Sequence, residues 1–99
     1  MARTELLFGA SHVGGVQWRT FLAQEVTPRF PEGLTAIDGY GQWKAPNGKI
    51  SAERSRILFL WHAPGAEADS KIDTIRGAYK KRFRQLSVMR VDSVDCVSF

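Results

Sequence analysis

Charged side chains on three predicted strands are the first candidates for catalysis or anion binding. Arg3 and Glu5 alternate on the first strand, Arg54 and Arg56 alternate on the third, and Arg90 lies on the fourth. Guanidinium groups bind carboxylates and phosphates bidentately, and a carboxylate beside them can accept a proton. If one sheet face carries this set, Glu5 acts as acid or base while Arg3, Arg54 and Arg90 bind an anionic group. We favour the alternative of a noncatalytic ion-pair ladder, because cross-strand Arg–Glu pairs stabilise sheets.

A second polar set lies on the second predicted strand. Asp38, Tyr40 and Gln42 alternate onto one face, where a carboxylate, a phenol and an amide can orient a small polar ligand. Tyr40 is the candidate to orient a substrate for Glu5. The alternative is an exposed strand face without a ligand.

Glycines flank Tyr40 at positions 39 and 41 and remove side-chain bulk from the opposite face of the strand. We expect the segment 39–43 to matter more to any site than either histidine, and Gly41→Ala to perturb ligand binding or dimerisation.

The remaining reactive residue types lack partners at diagnostic spacing. His12 and His62 are isolated in sequence, so we interpret both as structural or incidental. The single Cys96 cannot form an internal disulfide. No phosphate-binding loop, nucleophile elbow or zinc-protease motif occurs. We therefore expect neither a metal nor a cofactor.

Charge and hydropathy narrow the partners and the compartment. The net charge of +4 is dispersed, which favours solubility and weak attraction to anions but not a nucleic-acid partner. The third strand lacks the glycine and spacing of an RNA-recognition motif. No apolar run approaches the roughly 20 residues of a membrane span. We expect a cytoplasmic protein as the sequence stands, or an exported one if a leader has been removed.

The order of predicted elements is βαββαβ, which is typical of a ferredoxin-like α+β sandwich with a four-stranded antiparallel sheet and two helices on one face. A chain of 99 residues with 43% hydrophobic content suits a single domain over 1–99. The predicted elements are a strand over Thr4–Gly9, a helix over Val16–Val26, two strands joined at Pro46-Asn47-Gly48, a helix over Asp69–Phe83 and a strand over Ser87–Val91.

Apolar periodicity predicts which surfaces are buried. Each helix carries one apolar stripe, formed by Trp18, Phe21, Leu22 and Val26 and by Ile72, Ile75, Tyr79 and Phe83. The third strand is apolar on both faces, over residues 57–61, yet two helices cover only one face of a sheet. A second copy of the chain is the simplest cover for the other face, so we expect a homodimer.

Five groups of short segments form a recognisable pattern along the chain. They are Arg3-Thr4-Glu5-Leu6 with Phe8-Gly9, Thr27-Pro28-Arg29-Phe30-Pro31 with Gly33-Leu34-Thr35, Asp38-Gly39-Tyr40-Gly41-Gln42-Trp43, Glu53-Arg54-Ser55 and Ser87-Val88-Met89-Arg90-Val91-Asp92. Together they resemble a known bacterial family, the domain of unknown function 3574. The resemblance implies a small bacterial protein, often made with an export signal or lipoprotein leader. It implies no activity, so it assigns no catalytic residue.

Three functions remain open from the sequence. The leading one is binding of a small polar or anionic ligand, at the sheet face, between sheet and helices or at a dimer seam. The others are a small cofactor-free enzyme that uses Glu5, and a protein-interaction module without a pocket. A cavity of about 300–1,000 Å³ with convergent polar groups would favour the first.

Overall fold

The computed structural model describes residues 1–99, and its elements follow the predicted order. The strands are β1 (Ala2–Gly9), β2 (Thr35–Lys44), β3 (Ile50–His62) and β4 (Met89–Val94), and the helices are α1 (Gly15–Phe21), continued by a π-helical turn (Leu22–Val26), and α2 (Ala66–Phe83). The strands form one antiparallel sheet in the order β2-β3-β1-β4. This topology confirms the ferredoxin-like α+β fold.

The register of the sheet assigns every strand residue to one of two faces. Leu6 pairs with Leu58 on β3 and with Arg90 on β4, and Leu58 pairs with Ala36 on β2. Directly paired residues share a face, so the even-numbered residues of all four strands lie together. The helices cover this face, where Leu6 and Leu58 are completely buried. We call it the helix-covered face and the odd-numbered one the helix-free face.

An aromatic cluster fills the space between the helix-covered face and the helices. The Phe8 ring centroid lies 5.1 Å from that of Trp18 and 4.5 Å from that of Tyr79, in tilted geometries. The Tyr79 hydroxyl donates a hydrogen bond to the Gly9 carbonyl oxygen, and burial raises the pKa of Tyr79 to about 12. Phe21 is also fully buried, so both predicted helix stripes supply core residues.

Several element boundaries differ from their predictions, most clearly those of α2 and β4. α2 begins at Ala66, earlier than the predicted start at Asp69, and Gly65 is its N-cap. The acidic side chains of its first turn interact favourably with the positive end of the helix dipole. β4 is displaced toward the C-terminus, because β1 begins at Ala2 and pairs with β4 as far as Val94.

Gly77 lies on the exposed side of α2, and an added Cβ there would meet no atom within 4 Å. Gly77 is therefore not required for close packing of α2 on the sheet. Neither helix combines the length and hydrophobicity needed to cross a membrane.

The helix-free face is rich in apolar side chains. Its large exposed members are Ile37, Trp43, Trp61, Met89 and Val91. Leu7, Ile57 and Phe59 lie between them and are partly buried. The homodimer predicted from this face stays a prediction.

A two-stranded hairpin extends beyond the rest of the sheet. β1 ends at Gly9 opposite Ser55, and the Ala10 amide still donates to the Arg54 carbonyl. Pairing of β2 with β3 continues to Lys44 and Ile50. The connecting turn lies over 45–49, which confirms the predicted hairpin at Pro46-Asn47-Gly48. We call residues 41–53 the arm.

Candidate functional site

A cleft of about 380 Å³ opens at the end of the sheet where β3 stops and α2 begins. Its walls are the turn 29–33, the segment 61–65 and the first turns of α2 as far as Lys71. The volume lies within the range of about 300–1,000 Å³ that is typical of small-ligand pockets. We call it the His62 cleft.

His62 is fixed in this cleft by residues from two other strands. Its Nε2 atom lies 2.8 Å from Oγ1 of Thr4, a residue with no exposed surface. Thr4 Oγ1 in turn donates to Asp92 Oδ1 at 2.7 Å. The arrangement joins β3, β1 and β4, and we call it the polar chain.

The donors and acceptors of the polar chain fix the orientation of its hydrogens. Ionised Asp92 can only accept, so Thr4 directs its single hydroxyl hydrogen to Asp92 and must accept from His62 Nε2. The other ring nitrogen, Nδ1, lies 2.9 Å from the Ala63 carbonyl oxygen. A protonated ring donates at both contacts, whereas the neutral ring with its hydrogen on Nε2 has an unprotonated Nδ1. The bond to Thr4 is thus available to either form of the ring, whereas the contact with the Ala63 carbonyl is a hydrogen bond only when Nδ1 carries a hydrogen.

Asp92 is held in its ionised form. Burial alone would raise the pKa of Asp92, but hydrogen bonds from Thr4 and Arg90 outweigh burial and lower it. The carboxylate can therefore anchor the Thr4 hydroxyl near neutral pH.

Arg90 links the polar chain to α2. Its Nε lies 2.9 Å from Asp92 Oδ2, its Nη2 lies 2.5 Å from Asp69 Oδ1, and its Nη1 lies 3.3 Å from Asp73 Oδ1. Burial opposes the charge, but the hydrogen bonds to Asp69 and Asp92 raise the pKa of Arg90. Three carboxylates thus surround the guanidinium that the sequence suggested for ligand binding.

The cleft wall combines aromatic surface with charges of both signs, because Glu32 and Glu67 line it beside Arg29 and Lys71. Phe30 and Trp61 line it, and Lys71 Nζ lies 5.9 Å from the Phe30 ring centroid and 3.3 Å from Glu67 Oε1. α2 starts after Gly65 without a capping side chain. The first amides of a helix lack intrahelical acceptors and attract anions. This wall suits a ligand with an apolar ring and a polar or anionic group.

A smaller cleft of about 260 Å³ lies beside the first one. Its lining includes Ala2, Asp69, Asp92 and Val94, and it shares His62 with the larger cleft. His62 therefore borders two openings.

The structure separates the charged residues that the sequence suggested might share one face. Glu5 pairs with Phe59 and Val91 on the helix-free face, whereas the even-numbered Arg54 and Arg90 lie on the opposite side of the sheet. The prediction of one shared face is wrong, because the register matches odd residues with odd and even with even.

The Glu5 carboxylate has a partner on its own strand. Arg3 Nη2 lies 3.2 Å from Glu5 Oε2, and the Arg3 guanidinium lies 5.8 Å from the Phe59 ring centroid and 5.9 Å from that of Trp61. An Arg–Glu ion pair is present, but it runs along β1 and not across strands.

The polar residues of β2 do share one face, but they lie far from the cleft. Tyr40 pairs with Arg54, which precedes His62 by eight residues on β3, or about 27 Å. Gln42 Nε2 donates to the exposed Tyr40 hydroxyl at 2.9 Å. Asp38 Oδ1 accepts from Arg56 Nη1. Their ligand-binding and catalytic roles remain predictions, and the structure places none of them at the His62 cleft.

Arg56 differs from the other arginines because it is buried. Its Nη2 donates to the Val13 carbonyl at 3.1 Å, and its buried Nε has no partner. Together with its bond to Asp38, these contacts tie β3 to β2 and to the loop before α1.

Sequence reasoning missed the polar chain. It treated His62 as lacking a partner, yet Thr4 and Asp92 approach it from strands that are distant in sequence. The available signal was Thr4, a polar residue at an inward position of a strand whose next inward residues are Leu6 and Phe8. His12, by contrast, is exposed in the turn after β1.

The two glycines of β2 also differ from each other. A Cβ at Gly39 would lie 2.5 Å from Ser55 Oγ, whereas one at Gly41 would lie 3.6 Å from the Glu53 carbonyl oxygen. A contact of 3.6 Å is ordinary, so Gly39 is the more constrained position.

The fold and the polar chain define a small ferredoxin-like α+β protein with a ligand-sized cleft at one end of its sheet. The chain belongs to the family described as "Protein of unknown function (DUF3574)", which matches residues 3–99. This match confirms the resemblance seen in the sequence. No curated protein matches the chain.

Solved structures of a phage enzyme share the fold. The chain is similar to phage SAM lyase in complex with S-methyl-5′-thioadenosine, with a TM-score of 0.68, 12% identity and coverage of 93% of this chain and 79% of that one. It is also similar to phage SAM lyase in the apo state, with a TM-score of 0.64, 14% identity and coverage of 93% and 78%. At these identities the likeness shows the fold alone.

Proposed function

We propose that this protein binds a small polar or anionic ligand in the His62 cleft. The observation that carries the proposal is a ligand-sized cleft whose histidine is held in place by buried Thr4 and ionised Asp92. Phe30 and Trp61 supply apolar surface, and Lys71 and the uncapped start of α2 supply hydrogen-bond donors beside the carboxylates of Glu32 and Glu67.

The phage SAM lyase complex suggests the first probe. S-methyl-5′-thioadenosine, the compound in that complex, offers a flat ring and polar hydroxyl groups. It therefore matches the chemistry of the cleft wall. Inorganic phosphate is the second probe, because it tests the hydrogen-bond donors without the ring.

Isothermal titration calorimetry with each probe tests the proposal. We expect at least one probe to bind, and Lys71→Ala to weaken that binding several-fold by removing a cleft cation. Lys44→Ala is the matched control, because Lys44 is an exposed lysine at the end of β2. Equal losses in both variants would show a general charge effect and would overturn the cleft assignment.

Native mass spectrometry of protein purified from its own host tests the proposal without a prior choice of ligand. A retained small molecule that is lost from a Phe30→Ala variant supports the cleft. If neither probe binds and no molecule is retained, the binding proposal fails.

Acid–base catalysis at His62 is the second candidate function. The polar chain favours it because Thr4 orients one ring nitrogen, and the other, Nδ1, can transfer a proton once a substrate replaces the Ala63 carbonyl as its partner. Glu5, the base suggested by the sequence, lies on the helix-free face in an ion pair with Arg3. In the enzymatic alternative, the candidate acid–base residue is therefore His62 and not Glu5.

The fold of phage SAM lyase provides a specific assay for this candidate. S-adenosylmethionine is incubated with the protein, and release of S-methyl-5′-thioadenosine is followed by chromatography. We expect His62→Gln to abolish release while Glu5→Gln retains it. Equal activity of His62→Gln and the natural chain would exclude proton transfer by His62, and loss with Glu5→Gln alone would restore the original candidate.

We also propose that the helix-free face pairs with a second copy of the chain. Its exposed residues include Trp61, Met89 and Val91, and its central charges, Arg3 and Glu5, neutralise each other. Such a face can be buried without leaving an unpaired charge. A strictly monomeric protein at tens of micromolar in sedimentation velocity would refute this and would favour the alternative of an interaction module for another protein.

A further inference from the structure

The arm is a part of the sheet that the chain's own helices and other strands leave without support. Its strands pair only with each other, from Gly41 and Glu53 to Lys44 and Ile50. A lone two-stranded hairpin is marginally stable in water. Trp43 on this arm is nevertheless 51% exposed. A large aromatic side chain on an unsupported hairpin indicates a surface that another molecule covers.

The exposed side of Trp43 continues the helix-free face. Trp43, Gly41, Gly39 and Ile37 alternate along one side of β2, so a strip without charged side chains runs along β2 from the sheet onto the arm. Ser51 and Glu53, their partners on β3, lie on the same side of the arm. The glycines leave this strip flat, because neither places a side chain between Ile37 and Trp43. A partner seated on the sheet would therefore also reach the arm.

The area of the sheet explains why a dimer would use the arm. Four strands about 4.8 Å apart and about seven residues long have a planar footprint of roughly 450 Å². The four paired positions of the arm add about 140 Å², or roughly a third more. Stable pairs typically bury about 800 Å² of accessible surface per partner. Accessible surface exceeds the planar footprint because side chains project from the sheet, so the sheet face together with the arm approaches the size of a typical interface.

We infer that the arm packs the Trp43 side of its hairpin against a second copy of the chain, with Trp43 as an anchor of the interface. The inference rests on the proposed self-association and adds the element that completes it. A two-fold pair would use both arms in the same way, because the same patch of each copy takes part.

Sedimentation velocity of the full chain and three variants tests this inference. We expect Trp43→Ser to raise the dimer dissociation constant at least about ten-fold, as removal of a tryptophan anchor typically does. Ile50→Ser is the matched control, since Ile50 is 68% exposed on the same arm but on its other side, and it should leave the constant unchanged. Val91→Lys places a charge on the helix-free face and leaves the arm unchanged.

The outcomes separate the arm from the dimer. If Val91→Lys dissociates the dimer and Trp43→Ser does not, the arm inference is wrong and self-association stands. If the natural chain is monomeric at every concentration, the arm inference and the proposed self-association are both refuted. Equal weakening by Trp43→Ser and Ile50→Ser would also overturn the arm inference, because the two sides of the hairpin would then not differ.

Hydrogen exchange of the natural chain gives a readout that no variant can disturb by misfolding. Amides over 41–53 should exchange more slowly as the protein concentration rises from low micromolar to the hundred-micromolar range. Unchanged exchange in the arm of a protein that dimerises over that range would contradict the inference.

Discussion

Replacing Thr4 by valine tests the polar chain with the smallest change of shape. Valine keeps the size and branching of threonine, so the buried site stays filled. The variant removes the hydroxyl that donates to Asp92 and accepts from His62. Any change in stability or binding then reports the hydrogen bonds and not the packing.

The expected loss of stability follows from the two bonds. A hydrogen bond to a charged group typically contributes about 1.5–3 kcal/mol and a neutral one about 1 kcal/mol. Half of the Asp92 side chain is exposed, so water replaces part of the lost bond. Burial of the additional methyl group offsets a further part. We expect Thr4→Val to lower the free energy of unfolding by about 1–2 kcal/mol near neutral pH.

The pH dependence of this difference has a definite sign. The folded pKa of Asp92 lies below its ordinary value of 3.8. Its interactions therefore stabilise the protein above that value and are lost as the pH falls through the folded pKa. Since the variant lacks the Thr4 bond, the difference between the natural chain and Thr4→Val should narrow below about pH 4.

Urea unfolding across this pH range measures the difference. Thr35→Val is the control, because Thr35 is an exposed threonine at the start of β2. A natural chain and a Thr4→Val variant of equal stability near neutral pH would refute the reasoning. A gap that widens as the pH falls would show that Asp92 is not the partner that matters.

Three further predictions concern single positions. Gly77→Ala should stabilise the protein by about 0.5–1 kcal/mol in thermal unfolding, because the added methyl group meets nothing and alanine favours a helix; a lower midpoint would contradict this. Gly39→Ala should lower the midpoint more than Gly41→Ala, since only Gly39 is crowded; the reverse order would contradict this reasoning. His12→Ala should leave stability and calorimetric ligand binding unchanged, whereas His62→Ala should weaken binding; equal effects would remove the distinction between the two histidines.

The fold could be predicted from the sequence because its signals are local. The helix stripe around Trp18 and Phe21 and the alternation of Leu6 and Phe8 each require only a short window of sequence. The order of these segments then restricts the topology. The predicted element boundaries were less accurate where pairing with a distant strand determines them. An example is β4, whose extent follows from the length of β1.

The candidate site could not be predicted in the same way because it depends on strand register. Thr4 and His62 are 58 residues apart in sequence, and Thr4 and Asp92 are 88 apart. No spacing rule joins them, and only the pairing of β1 with β3 and β4 brings them together. The same register places Glu5 on the other face, although its residue type made it the more visible candidate.

The central position of β1 in the sheet also has a consequence for folding kinetics. Ala2 pairs with His62 on one side and with Val94 on the other, so the first strand of the chain has its partners in the middle and at the far end of the sequence. Such non-local pairing slows folding, because long loops must close before contacts stabilise them. During synthesis the apolar segment Leu6-Leu7-Phe8 stays without β3 until the middle of the chain has been made, and without β4 until the last strand has been made. We therefore expect a chain stopped before β4 to aggregate through the open edge of β1, instead of accumulating as a folded intermediate.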